Sequence, residues 1–220
     1  MPSRSESSGR GSLGPNEVAD LLDWKRRIFA LYADIRTSNN PHAQWTRWRA
    51  ERDDLFASHP QSPVPPEKRG AFKGLEYFDY DPSLRVRAEV LEAQPKRYEI
   101  AASGGGTYSF TRYASTGFSL NEKQLSLELY WLEGYGGGVF LPFRDSTAGT
   151  ETYGAGRYLL DTIKGADLGN EEGRLILDFN FAYNPSCSYD PRWVCPLAPP
   201  PNRLEVPVRA GERTTAFSSD

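Results

Sequence analysis

From about residue 70 onward the apolar side chains recur at every second position, and this period of two constrains the fold more than any motif does. Leu84, Val86, Ala88 and Val90 alternate with Arg85, Arg87 and Glu89, and Leu125, Leu127, Leu129 and Trp131 alternate with Ser126, Glu128 and Tyr130. A strand places successive side chains on opposite faces, so this pattern predicts strands with one buried and one wet face, the signature of antiparallel sheets. Shorter strand candidates lie at 96–101, 107–113, 137–142, 157–161, 173–180 and 203–208. Turn signals separate them: Gly104-Gly105-Gly106, Asn121-Glu122, Gly136-Gly137-Gly138 and Gly169-Asn170. No alternation of strand and helix appears, which argues against a parallel nucleotide-binding sheet. The fold expected is mainly β: an antiparallel curled sheet, sandwich or small barrel of around eight short strands, with two N-terminal helices.

The helices are read from a different period. Val18, Leu21, Leu22, Ile28, Phe29, Tyr32 and Ile35 fall at helical spacing over 17–36, after a cap at Asn16. A second helix starts at Asn40-Pro41, with Asn as cap and Pro in the first turn. Trp45, Trp48, Leu55 and Phe56 share its apolar face, with Arg47, Arg49, Glu51 and Asp53 outside, and His59-Pro60 ends it. The 220 residues are thus divided into a polar tail at 1–15, one domain over 16–213 (helices 16–58, β region 70–213) and a tail at 214–220.

Scarce residue types prune the chemistry. Two cysteines, Cys187 and Cys195, exclude a disulfide scaffold and any four-cysteine zinc site. The two histidines, His42 and His59, both precede the β region, so a histidine-based triad or zinc site would have to fold a helix histidine onto the sheet. A net charge of -3 argues against a nucleic-acid binder, which would show a basic excess. No apolar run nears the roughly 20 residues that span a bilayer. The polar start has no signal-peptide core, so a cytoplasmic location is expected. Oligomeric state stays open.

The polar chemistry is concentrated between Phe143 and Asn202. FRDSTAGTETYGAGRYL (143–159) and LDFNFAYNPSCSYDPRWVCPLAPPPNRL (177–204) crowd carboxylates, amides, hydroxyls, tyrosines and one arginine into strand-like and turn-like sequence. Alternation along 174–181 puts Asp178 and Asn180 on one face, with Arg157 as the natural counter-charge. Arg157 offers a guanidinium fork to an anion or, as readily, a structural partner to Asp178 or Asp145. Asp145-Ser146-Thr147 reads as an Asx or Ser/Thr turn. The glycine-rich stretches match no phosphate-loop pattern and are read as turns. Cys187 and Cys195 are a bonded pair, a nucleophile, or two packed thiols. A metal would lean on Asp145, Glu151, Asp161 and Asp178, whose spacing matches no calcium loop, so no metal site is expected.

These stretches, with the closing NRLEVPVRAGE, resemble the bacterial and archaeal family catalogued as domain of unknown function 1684. The resemblance covers about residues 20–213 and rests on Asp145, Thr147, Gly149, Thr152-Tyr153, Gly156-Arg157-Tyr158, Asp178-Phe179-Asn180, Tyr183-Asn184-Pro185, Cys187, Tyr189, Cys195-Pro196, Asn202 and Ala210-Gly211-Glu212. Ala198 stands where the family pattern has proline, and Pro201 where an acidic residue is frequent; both affect loop stiffness and leave the polar set intact. The resemblance implies no activity, substrate or cofactor.

Three functions are consistent with the pattern. In the first, an enzyme acts on a small anionic substrate: Arg157 holds the anion, Asp178 or Asp145 serves as acid/base, and Tyr153, Asn180, Tyr183, Asn184, Cys187 and Thr147 bind. In the second, a barrel holds a small ligand without chemistry. In the third, the motif residues form a buried network that ties the C-terminal loop to the sheet. A small molecule is the expected partner in the first two, and no cofactor is indicated.

Overall fold

A computed structural model of the protein describes residues 14–214, so all but the edges of the two tails read from the sequence lies outside it. Helix α1 (Pro15–Thr37) starts earlier than the cap expected at Asn16, which lies inside it: Gly14 is the N-cap, its N–H donating to Glu17 Oε2 at 2.8 Å, and Pro15, fit for a first turn because it needs no N–H donor there, begins the helix. It buries Ile28, Leu31, Tyr32 and Ile35, a stripe at three- and four-residue spacing. Helix α2 (Pro41–Ser58) is capped as expected, Asn40 Oδ1 accepting the Ala43 N–H at 3.0 Å. Trp45, Trp48, Leu55 and Phe56 are buried on its inner face, and so is Arg52.

The β region forms one open, antiparallel sheet of seven strands in the order β5-β4-β3-β2-β1-β7-β6. Strands β1 (Arg85–Ala101), β2 (Thr107–Leu120) and β3 (Lys123–Leu132) make a long meander. Asn121 and Glu122, both at positive φ, form the tight turn between β2 and β3, the two-residue geometry whose twist matches the strands. The edges are β4 (Val139–Phe143) with β5 (Arg157–Asp161) on one side, and β7 (Arg174–Asp178) with the two-residue β6 (Asn170–Glu171) on the other. The sheet does not close, so of the three β architectures expected it is the curled open sheet that forms.

Both faces of this sheet are covered, and that departs from the one-wet-face reading. Phe110, Tyr130, Phe140 and Tyr158 pack in one cluster with the helix residues Ile28, Tyr32, Trp48 and Phe56. Leu127, Leu129, Leu141 and Phe143 pack in another with Leu204, Val206, Val208 and Ala210 from the C-terminal stretch. Tyr130, read as wet, is therefore fully buried, while Trp131, read as core, is 43% exposed. Val90 is also exposed, because β7 pairs with β1 only as far as Ala88.

Two strand assignments change. The 173–180 candidate ends at Asp178, where the chain turns into a 3-10 segment (Phe179–Phe181) with Asp178 Oδ1 accepting the Asn180 N–H at 3.0 Å. Residues 203–208 keep an alternating burial, Leu204, Val206 and Val208 inward, but join no strand ladder. Their backbone is held instead by the Arg144 and Ser146 backbone and by the Asp145 and Arg157 side chains.

At the end of that stretch Gly211 takes φ +73°, and a Cβ there would lie 2.5 Å from the Ala182 carbonyl oxygen and 2.7 Å from that of Phe179. Both the backbone conformation and the space demand glycine. Gly211→Ala should therefore lower the unfolding free energy by about 2–3 kcal/mol, read from urea denaturation. A variant as stable as the parent would show that this junction tolerates displacement.

Candidate functional site

Arg157 begins β5 and is 1% exposed. Its guanidinium donates to the carbonyls of Val208 (2.9 Å), Glu212 (3.2 Å) and Ala210, and to Asp145 Oδ1 at 3.3 Å. It also lies 5.0 Å from the Phe143 ring centre. Burial pushes its pKa down, and the Asp145 carboxylate opposes that shift. Asp145 Oδ2 in turn accepts the Val208 N–H at 2.7 Å and the Thr147 hydroxyl at 2.8 Å, and Thr147 bonds Thr152 at 2.9 Å. Asp145-Ser146-Thr147 is thus the side-chain-capped turn its composition predicts, and the pair Arg157–Asp145 faces protein on all sides.

The expected partnership of Arg157 with Asp178 does not form. Asp178 lies 3.8 Å from Arg85 Nε, and Arg85 itself pairs with Glu171. Asp178 and Asn180 do meet, Nδ2 to Oδ1 at 2.8 Å, but through the 3-10 turn that follows β7. Asn180 also clamps the backbone of Asp81 with both ends of its amide (2.9 and 2.8 Å), and its carbonyl accepts the Trp45 indole N–H at 3.0 Å. Burial pushes the Asp178 carboxyl up to about 6, against the lowering by Asn180 and Arg85. Asn202 plays a similar part between β3 and β4, bonding Glu128 on both backbone atoms and the Pro142 carbonyl.

A third buried cluster joins Asn184 and Glu212, both within the sequence signature, to Arg52, which the sequence reading for chemistry missed. Glu212, wholly buried, accepts Arg52 Nη2 at 2.7 Å, the Asn184 N–H at 3.0 Å and Asn184 Nδ2 at 3.2 Å. Arg52 also donates to the Tyr77 hydroxyl at 3.1 Å. Burial pushes the Glu212 carboxyl up to about 7, with Arg52 and the Asn184 N–H holding it back. The signal for Arg52 was its phase: it sits seven residues after Trp45 and three before Leu55, on the buried stripe of α2.

Arg52 and Asn184 lead to a cavity of about 260 Å³ between α1, α2 and the loops 161–166 and 183–195. Trp24, Ile28, Trp48 and Phe56 give it apolar walls, and Tyr183, Asn184, Trp193 and Cys195 close it on the loop side. Of the residues expected to form a site, Tyr183 and Asn184 line this cavity; Arg157, Asp145, Asp178, Asn180, Thr147, Tyr153 and Cys187 do not. Three polar atoms of its wall residues are buried without a protein partner: Tyr183 Oη, Asn184 Oδ1 and Trp193 Nε1. Among the described residues the wall carries three cationic side chains, Lys25, Arg52 and Lys164, and no carboxylate.

Cys187 and Cys195 are free and buried. The Cys195 thiol and, less strongly, Ser103 and Tyr153 (hydroxyl 3.8 Å from the Cys187 sulfur) donate hydrogen bonds that bring the Cys187 thiol down to about 6, against its burial. His42 stacks on Trp45 and His59 lies 3.3 Å from Asp23, both on the helical side. Among the described residues no group of three or more His, Cys, Asp or Glu is placed to hold a metal ion, and no helix is long and apolar enough to cross a membrane.

The profile of the family described as "Protein of unknown function (DUF1684)" matches residues 70–213, more than half of the chain, which therefore belongs to that family. Among solved structures, the solution NMR structure of an uncharacterized protein of Haloarcula marismortui is similar: 37% sequence identity, covering 78% of this chain and 93% of that one, with a TM-score of 0.57. No curated protein matches.

Two outcomes follow from the buried charges. Arg157→Ala leaves Asp145 and three carbonyls without their donor, and should cost about 3–5 kcal/mol in chemical denaturation; a change below about 1 kcal/mol would mean that the stretch 208–212 is held by other contacts. The Asp178 effect has the opposite character. Its native pKa of about 6 lies above the roughly 3.9 of an unfolded aspartate, so its contribution is fully present below pH ~4 and is lost as pH rises through 6. The stability of Asp178→Asn relative to wild type should consequently improve by up to roughly 3 kcal/mol between pH 4 and pH 8. A pH-independent difference would contradict this assignment.

Proposed function

Taking membership of a family whose description assigns no activity as the starting point, we propose that this protein is a binding module for a small, largely apolar molecule held in the cavity between the helices and the loops 183–195. One observation carries the reading: a cavity of about 260 Å³ whose walls are mostly apolar and include the polar side chains of Arg52, Tyr183 and Asn184. Mostly apolar walls with a few convergent polar groups are the usual composition of a small-molecule site.

The alternative, acid/base catalysis on an anionic substrate by Arg157, Asp178 and Asp145, is favoured less. Arg157 directs its donors at three carbonyls and Asp145, and Asp145 is saturated by Val208, Thr147 and Arg157. None of these side chains lines the cavity. Their arrangement supports the structural role for that part of the motif, with Tyr183 and Asn184 as the point where the motif reaches the proposed ligand.

Octanol and cyclohexanol serve as neutral probes of this reading. Both should quench or shift tryptophan fluorescence with saturable, sub-millimolar binding, because Trp24, Trp48 and Trp193 line the space. Ser186 is also on the wall, and Ser186→Trp should abolish the response while leaving the thermal midpoint within a few degrees of wild type. Unsaturable responses, or binding that survives the Ser186→Trp plug, would remove the cavity from consideration.

A further inference from the structure

We propose that the occupant of this cavity is an amphipathic monoanion, its apolar body against Trp24, Ile28 and Phe56 and its oxyanion headgroup between Lys25 and Lys164. This rests on the reading of the cavity as a binding site and adds the chemical class of the ligand.

The wall presents only positive charge, in a chain whose net charge is -3. Arg52 is already paired: Glu212 takes its Nη2 at 2.7 Å from behind the wall. Lys25 and Lys164 have no such partner, since neither makes an ion pair within 4 Å among the described residues. Both ammonium groups act electrostatically on Asp161, which places them around the same end of β5. With no carboxylate among the described wall residues, the two ammonium groups favour an anion bound at this end of the cavity.

The rest of the wall suits an apolar body: Trp24, Ile28, Trp48 and Phe56 line the same space as the cationic side chains. A single negative charge fits better than two. Asp161 lies behind the wall, 5% exposed, and the thiol pair Cys187–Cys195 also lies within electrostatic reach of Lys164. These groups offset part of the positive charge, which leaves room for a carboxylate more readily than for a dianion.

Octanoate, octanol, octylamine and octyl phosphate share one tail and differ only in the headgroup. Titrated against the full chain by calorimetry or tryptophan fluorescence, octanoate should bind at least about tenfold more tightly than octanol, octylamine more weakly than either, and octyl phosphate no better than octanoate. The double variant Lys25→Ala/Lys164→Ala should erase the preference for octanoate over octanol. Equal binding of octanoate and octanol would overturn the anionic assignment while leaving the cavity reading intact. A preference that persists in the double lysine variant would overturn the placement of the headgroup. Failure of all four compounds to bind would overturn both.

Discussion

The C-terminal stretch 203–212 covers one face of the sheet without belonging to it, and the interaction that makes this possible is the buried Arg157 guanidinium. A strand on a sheet has its backbone groups satisfied by a neighbouring strand. Here Val208, Ala210 and Glu212 present their carbonyls to one planar side chain, and Asp145 both completes the charge balance and accepts the Val208 N–H. A guanidinium suits this part because its donors are fixed in a plane and its charge survives burial. With that clamp in place, Leu204, Val206 and Val208 can bury against Leu127, Leu129 and Phe143, although they bond to no ladder.

The same stretch then delivers Glu212 to the other side of the molecule. Gly211 turns the chain where no side chain fits, and Glu212 meets Arg52 from α2 and Asn184 from the loop after β7. The clamp on one face of the sheet therefore fixes the loop that walls the cavity on the other. Removing a partner from such a buried ion pair is far costlier than losing a surface one, so the position of Asn184 depends on the Arg52–Glu212 pair to which it is bonded.

Much of the architecture was legible in the sequence. The start of α2 was legible, with Asn40 as cap and Pro41 in the first turn, whereas α1 begins at Pro15 and not after the expected cap at Asn16. The edge strand at 157–161 and the Asn121-Glu122 turn were placed by alternation and turn chemistry. Alternation misled where both sheet faces are covered, because a residue such as Tyr130 can point away from the leucines and still be buried by a helix. It also misled at Val90, where the neighbouring strand stops short. Periodicity reports which way a side chain points and not what lies there.

For the candidate site, the sequence by itself determined that the polar residues between Phe143 and Asn202 form a signature with a fixed local grammar: the Asp145 turn, the Asp178–Asn180 contact, and glycines where the backbone must turn. Those features depend on neighbours two or three residues away, so composition and spacing suffice to specify them. Pairing was decided only by the tertiary structure. Arg157 chose Asp145 over Asp178, Arg52 met Glu212 across 160 residues, and lysines from α1 and from the loop after β5 came to face one apolar space. Such choices follow from which surfaces pack together in three dimensions, and a charge carries no mark in the sequence of the distant partner that will neutralise it.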